Sequence, residues 1–336
     1  MMSPKGVTRF RLGIGYTNVV RLNSHVLSGT NKLAGYINLA AGREIMEFYQ
    51  NRSSFDTRFF INTNDYQQTL VWQLRPLQLI GKSSHCLPDG GDRTAYNPLL
   101  RLLICGSWDA GISCVQVDTD ELLWHRTDLL GIQNVQMSAA SPDLLYVELE
   151  APDYIPGSFG GVVVLDVRSG TELARYEKWH SFYTHPYLAR HVAVADDNII
   201  LIDDEMAVVN QIGMNYFAIL DVAFREQHIA VAEGRTGLRV FDDGGTELLH
   251  YREPGKQNIS HCRFDLEQPR VHCLNKISAD RGRLITVDYV NGEKCAEHLL
   301  DDCTEFCFLD DSPHYVNRTG QIFRAADGQV VQRLAF

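Results

Sequence analysis

The chain has 336 residues, is 45% hydrophobic and 22% charged, and carries a formal net charge of −11 at pH 7. That acidity argues against nucleic acid as a partner, because phosphate contacts need a basic surface, and favours a protein partner with a basic surface. No apolar run reaches the ~18 residues of a membrane helix, so no membrane role is expected.

The excess of acid is uneven: residues 181–336 hold 15 Lys+Arg against 24 Asp+Glu. The first twenty residues lack the roughly 7–15-residue apolar core of a secretory signal, which points to the cytoplasm. The eight cysteines agree with a reducing compartment. They fall mostly in strand-like runs, where a thiol behaves as a small apolar group, and no Cys-x-x-Cys occurs.

In chain order, residues 1–50 offer RFRLGIG, NVVRLN, HVLSG, LAGYINLA and EIMEFY, one strand more than a four-stranded sheet needs. Residues 58–61, 69–72 and 77–80 read as strands, and 83–97, rich in Pro, Gly and Asp, reads as a loop. Residues 103–126 are a meander. Leu103-Ile104-Cys105 breaks at 106–111, Ile112 to Val117 alternates, Asp118-Thr119-Asp120 turns, and Leu122-Leu123-Trp124 follows. Residues 130–177 repeat it, with an enlarged hairpin loop at 151–159. The segment 178–187 reads as a ring-rich connection. Further sheets are expected at about 188–218, 219–254, 259–300 and 303–336, with no helix anywhere. Ile229 with Val231, and Leu238 with Val240, mark one inward face of half-buried strands.

The second half of the meander recurs as GGVVVLDVRSGTEL (160–173), EGRTGLRVFD with GTEL (233–248), LITVD with NGE (284–293), QIFR with DGQVV (321–331) and YINL with GREI (36–45). Its turn landmarks stand at 42, 120, 170, 245, 292 and 328. Two of the gaps span about two repeats of ~40–45 residues, so two fainter copies are expected near 55–82 and 188–218. One such sheet cannot bury both faces. The recurrence therefore implies stacked sheets.

This pattern resembles a blade of a WD40-type or quinoprotein-type β-propeller, in which a Gly-Ser-x-Asp-Gly hairpin precedes an alternating strand, an Asp-x-x-Gly turn and an outer strand. The resemblance implies an all-β fold, a β-propeller of four-stranded antiparallel blades forming one domain over 1–336. The clear blades are near 20–50, 98–129, 130–177, 219–254, 259–300 and 303–336. About thirty strand-like runs favour seven blades over eight, at about four strands each. Closure of the ring stays open between a surplus N-terminal strand and four C-terminal ones. The pattern also departs from the family. Val117-Asp118, Leu165-Asp166, Phe241-Asp242 and Val287-Asp288 keep the aspartate of the Trp-Asp signature and not the tryptophan. The opening Gly-His is missing. The tryptophan docking motif and vicinal cysteine pair of quinone binding are absent, so no cofactor is implied.

No Gly-x-Ser-x-Gly, His-Glu-x-x-His or Walker motif occurs, so no enzyme and no catalytic residue is expected. His261-Cys262 and His272-Cys273 are the best metal candidates, but alternation turns each His and its Cys to opposite faces. That leaves two ligands where structural zinc takes four. Core cysteines with exposed histidines are expected instead, and no metal. The clusters Asp203-Asp204-Glu205, Asp242-Asp243, Asp301-Asp302 and Asp310-Asp311 admit three readings: turn chemistry, a calcium site, or a patch that docks a basic partner. Tyr154 and Phe159 in one loop, and Trp179, His180, Phe182 and Tyr183 in the next, are either binding hot spots or packing between blades. The partner-binding set is therefore those six residues with Asp203, Asp204, Asp242, Asp243, Asp301 and Asp302.

The function expected is a non-catalytic protein-binding propeller. A sharper version is an immunity or antitoxin-like protein that masks a basic toxin domain. The alternatives are a general assembly scaffold, a lactonase- or lyase-type propeller enzyme with a metal in its channel, and a propeller holding a small ligand.

Overall fold

The computed structural model describes residues 18–22, 25–29, 36–38, 45–47, 59–63, 69–74, 77–85, 93–138, 140–150, 160–185, 188, 190–195, 198–203, 205–213, 219–255, 258–265, 267–278, 281–300, 307–308, 314–316 and 321–333. All regular structure among them is strand. No helix there is long and apolar enough to cross a membrane.

Two hairpins open the chain, β1 (Asn18–Leu22) with β2 (His25–Gly29) and β3 (Tyr36–Asn38) with β4 (Ile45–Glu47). A three-stranded sheet follows: β5 (Phe59–Thr63), β6 (Thr69–Leu74) and β7 (Leu77–Ser83). Six four-stranded meanders come next. The first is β8 (Arg93–Asn97), β9 (Leu102–Ser107), β10 (Gly111–Gln116) and β11 (Glu121–Arg126). The second is β12 (Ile132–Ser138), β13 (Ser141–Leu149), β14 (Gly161–Asp166) and β15 (Glu172–Tyr176). The third is β16 (Trp179–Thr184), β17 (His191–Ala195), β18 (Asn198–Ile202) and β19 (Val208–Gly213). The fourth is β20 (Asp221–Arg225), β21 (His228–Ala232), β22 (Leu238–Asp242) and β23 (Glu247–Tyr251). The fifth is β24 (Ile259–Phe264), β25 (Arg270–Lys276), β26 (Gly282–Asp288) and β27 (Lys294–Leu300). The last, β28 (Cys307–Phe308), β29 (His314–Val316), β30 (Gln321–Arg324) and β31 (Val330–Arg333), draws all four strands from the C-terminal end. The chain divides into two compact units, Met1–Ala193 with Ala335–Phe336 and Val194–Leu334.

Within each unit the sheets stack face to face, and this corrects the expectation of half-buried strands. In β21 and β22, Ile229, Ala230, Val231, Ala232, Leu238 and Val240 are all buried. The second and third strands of a blade are covered on both faces, so alternation sorts side chains between two neighbouring sheets rather than between core and water. Leu102 and Ile104 pack with Ile132, Val135, Leu145 and Val163 of the following sheet. Leu103 and Cys105 turn the other way, onto Val71 of the preceding one. The fifth sheet is sandwiched likewise, with Cys273 and Ile285 against Ala230 and Val240, and Leu274 and Leu284 against Tyr315. Fourth strands are the exposed ones, as in the Leu173, Val208 and Leu299 side chains.

A recurring turn closes the third strands of the four-stranded sheets. Asp166 Oδ1 accepts from the Ser169 N–H at 2.8 Å, Asp242 Oδ1 from the Thr246 N–H at 2.7 Å, and Asp288 Oδ1 from the Val290 N–H at 2.9 Å. These are the local side-chain bonds for which turns select Asp. The landmark residues Asp120, Gly170, Gly245, Gly292 and Gly328 all have positive φ, between 54° and 81°. Just before the turn the register slips by a β-bulge, at Cys114/Val115, Val164/Leu165, Val240/Phe241 and Thr286/Val287. A bulge sharpens strand twist. The same slip at Val71/Trp72 identifies β6 and β7 as a third and fourth strand.

Two boundaries shift. Residues 93–97 lie in the span expected to be a loop, yet they form β8, with Thr94, Ala95, Tyr96 and Asn97 buried. The ring-rich span 178–187, expected to be a connection, contains β16. Aromatic residues suit a pleated surface between two layers.

Candidate functional site

Meander topology sorts the loops. The first-to-second and third-to-fourth turns of every sheet lie at one end, and the second-to-third hairpins and inter-sheet connections at the other. In the unit Val194–Leu334 the first end carries Asp203, Glu205, Asp242, Asp243, Asp288 and Glu293, with Asp265 and Glu267 in the β24–β25 turn. Two of its cations are engaged locally: Arg225 Nη1 donates to the carbonyls of Asp265 and Gln268, and Arg324 pairs with Asp327 at 2.8 Å. The opposite end carries Arg235, Arg252, Lys276 and Arg281, of which Arg235, Arg252 and Arg281 are exposed, whereas Glu233 and Glu253 there are buried. Among the described residues of this unit, the exposed charges are thus mainly acidic at one end and basic at the other.

Burial works against ionisation of Asp242, but bonds from Thr246, Gly244 and Gly245 outweigh it and leave its pKa below the ordinary value. Asp203 Oδ1 accepts from the N–H groups of Glu205 (3.0 Å) and Ala207 (2.9 Å). Asp203 and Asp242 therefore build their turns, as the turn-chemistry reading of the acidic clusters expects. Glu205, Glu267 and Glu293 are exposed. Glu267 and Glu293 were missed by motif; the available signal was an acidic residue recurring at equivalent turns.

The aromatic residues divide. Trp179 is 6% exposed and Phe182 1%. Trp179 stacks on Tyr176 with centroids 3.8 Å apart, and Phe182 on Tyr146 at 4.7 Å. These two rings are consumed in packing, which leaves the exposed His180 and the half-buried Tyr183 as the rings of this strand that reach solvent. Tyr154, Phe159, Asp204, Asp301 and Asp302 lie outside the described residues.

Among the described residues, the buried polar networks of the unit Val194–Leu334 include two centred on His272 and Arg239. His272 bridges Asp265 Oδ2 (3.2 Å) and Thr286 Oγ1 (2.9 Å). Hydroxyl, imidazole and carboxylate follow the order of an activated nucleophile, yet Thr286 is 2% exposed and His272 3%, so no substrate reaches the hydroxyl. The chain instead ties a turn to two strands. The bond from His272, ahead of those from Gln268 and Glu267, holds the Asp265 carboxyl well below the usual range. His272 was expected to be exposed. It is buried because the face opposite Cys273 is also covered. No group of three metal-ligating side chains occurs among the described residues. In the second network, Arg239 meets Glu233 (3.2 Å) and Glu247 (2.6 Å).

His185 supplies a pH response in the other unit. Its Nδ1 accepts the Leu188 N–H at 2.9 Å, and burial, then the charge of Arg190, lowers its pKa from 6.5 to about 4. Below pH 6.5 the unfolded chain binds a proton that the folded chain refuses. Stability is therefore expected to fall by about 2 kcal/mol as pH drops from roughly 6.5 to 4. Melting temperatures across that range, with His185→Asn as the flat control, check this. Asp265 responds only below its ordinary value of 3.8, so the two windows separate.

No family model matches the chain, and no curated protein matches it. Solved structures do. The crystal structure of the computationally designed Ika8 protein is similar with a TM-score of 0.59 and 13% identity, over 83% of this chain and 85% of that one. Dihydro-heme d1 dehydrogenase NirN in complex with DHE is similar with a TM-score of 0.60 and 14% identity, over 83% of this chain and 64% of that one. The NirN fold is propeller-type. At these identities the likeness concerns fold alone, and with the repeated four-stranded antiparallel sheets it establishes an all-β protein of the β-propeller class.

Proposed function

We propose that this chain is a non-catalytic, protein-binding propeller of the cytoplasm that docks a basic protein partner on the acidic ends of its sheets. The observation that carries the reading is the separation of exposed charge between the two ends of the sheets among the described residues of the unit Val194–Leu334. Complementary charge speeds encounter and rejects wrong partners. A rigid stack that presents turns from successive sheets is a common way to build a binding surface. The repeat is read as a divergent WD40-like or quinoprotein-like one, on the aspartates retained at Asp118, Asp166, Asp242 and Asp288. The sharper version, an immunity or antitoxin-like protein, follows from the same chemistry, since a basic toxin domain is a natural occupant of an acidic surface.

Affinity purification from the native host at low and then higher salt tests the proposal. The expected outcome is one stoichiometric basic partner that salt loosens; absence of any salt-sensitive partner contradicts it. Toxicity of that partner expressed alone would select the immunity version. With the partner in hand, the double variant Glu205→Lys/Asp243→Lys is expected to bind about tenfold or more weakly, as read by calorimetric titration. Asp203 and Asp242 are the wrong positions to reverse, because their loss would also open the turns.

A further inference from the structure

Cys262 on β24 and Cys273 on β25 stand directly opposite each other in the antiparallel register. The type of pair follows from the ladder. The Asp265 N–H donates to the Arg270 carbonyl at 2.9 Å, and hydrogen-bonded and non-hydrogen-bonded pairs alternate along antiparallel strands. Three rungs away, Cys262 and Cys273 are a non-hydrogen-bonded pair. Consistently, the Cys262 N–H points away from β25 and donates to Asp221 Oδ2 at 3.0 Å. Such pairs bring Cα atoms to ~4.5 Å, within the ~4.4–6.8 Å that a disulfide spans. Both side chains enter one core cluster. The other strand cysteines provide a contrast. Cys105 faces Ser113, Cys114 faces Ile104, and the two belong to clusters on opposite sides of their sheet.

We propose that Cys262 and Cys273 are a cross-strand dithiol that a small-molecule disulfide, such as oxidised glutathione, converts to an intramolecular disulfide. One cysteine gives up its proton and attacks a sulfur of the oxidant, breaking that S–S bond and releasing one glutathione thiolate. The second, deprotonated in turn, attacks the protein sulfur of the mixed disulfide. It forms the Cys262–Cys273 bond and expels the second glutathione, and the two protons end on the two glutathione thiols. The protein loses two electrons and the oxidant gains them.

The pair is closed to oxidant in the folded sheet, since Cys262 is 1% exposed and Cys273 is fully buried. Burial also lifts both thiols above their ordinary pKa, which keeps them in the unreactive form. Exchange is therefore gated by opening of β24 or by folding itself. Once made, the bond is shielded by the same packing.

The test is to refold the full chain from urea with oxidised glutathione, alkylate, digest without reductant and analyse by mass spectrometry. A peptide pair joining Cys262 to Cys273, lighter by two hydrogens, is expected. A melting temperature raised by about 5 °C should accompany it and be reversed by dithiothreitol. Cys273→Ala should lose both the cross-link and the rise. Recovery of both cysteines as alkylated or glutathionylated thiols in the wild-type chain, or a cross-link to Cys295 in place of the pair, overturns the proposal whether or not the variant folds.

Discussion

Gly237→Ala is expected to destabilise the protein by about 3 kcal/mol or more. Gly237 ends the β21–β22 hairpin at φ +118°, a conformation L-residues rarely adopt, and an added Cβ would stand 2.2 Å from the Tyr251 carbonyl oxygen. That oxygen belongs to the adjoining end of β23, so it cannot swing aside like a side-chain tip, and either the hairpin or the outer strand must move. Gly255 separates the two costs. Its φ is +91°, with nothing within 4 Å of the added atom, so Gly255→Ala is expected to cost only about 1 kcal/mol from backbone conformation. Urea midpoints at constant slope measure both. Equal losses at the two positions would contradict the packing described for the hairpin.

Arg239→Met is expected to cost about 3–5 kcal/mol, because removing one partner of a buried pair strands the other charge. Arg239 lies 4.7 Å over the Phe241 ring and donates to the Gly213 carbonyl at 3.0 Å as well as to its two carboxylates. Methionine preserves the stem and its packing, so the loss reports the charge. Glu233, 1% exposed, would keep, among the described residues, only Thr236 as a side-chain partner, at 3.0 Å. Adding Glu233→Gln should restore part of the loss, and a double-mutant cycle in urea would show a coupling of about 2 kcal/mol. Additive losses would mean the two groups do not sense each other.

Much of the fold was legible because the turns that close third strands demand particular residues. A left-handed residue after an aspartate is usually glycine, and Gly170, Gly245, Gly292 and Gly328 made the period visible. The copy between 170 and 245 was faint for a physical reason: Met206 holds that position, at φ 61°. No glycine marks it, and β18 and β19 show only as aliphatic runs. First strands were harder. β8 reads Arg-Thr-Ala-Tyr-Asn, too polar to suggest a buried strand until Asn97 is seen accepting the N–H groups of Leu99 and Leu100 at 3.0 Å.

The site was less legible than the fold. Acidic residues could be counted in sequence, but which end of a sheet they occupy depends on strand direction, which only the register supplies. Aromatic richness at 179–185 signalled packing rather than recognition at Trp179 and Phe182. A ring run carries no information about which rings face a neighbouring layer.

The most direct test of the acidic-end reading compares capture of the basic partner by three forms of the full chain. These are the wild type, Glu205→Lys/Asp243→Lys at the acidic end, and Arg235→Glu/Arg281→Glu at the opposite end, all with matched melting temperatures. Capture should be lost in the acidic-end variant alone. Capture lost in the opposite-end variant, or kept equally by all three, would contradict docking on the acidic turns.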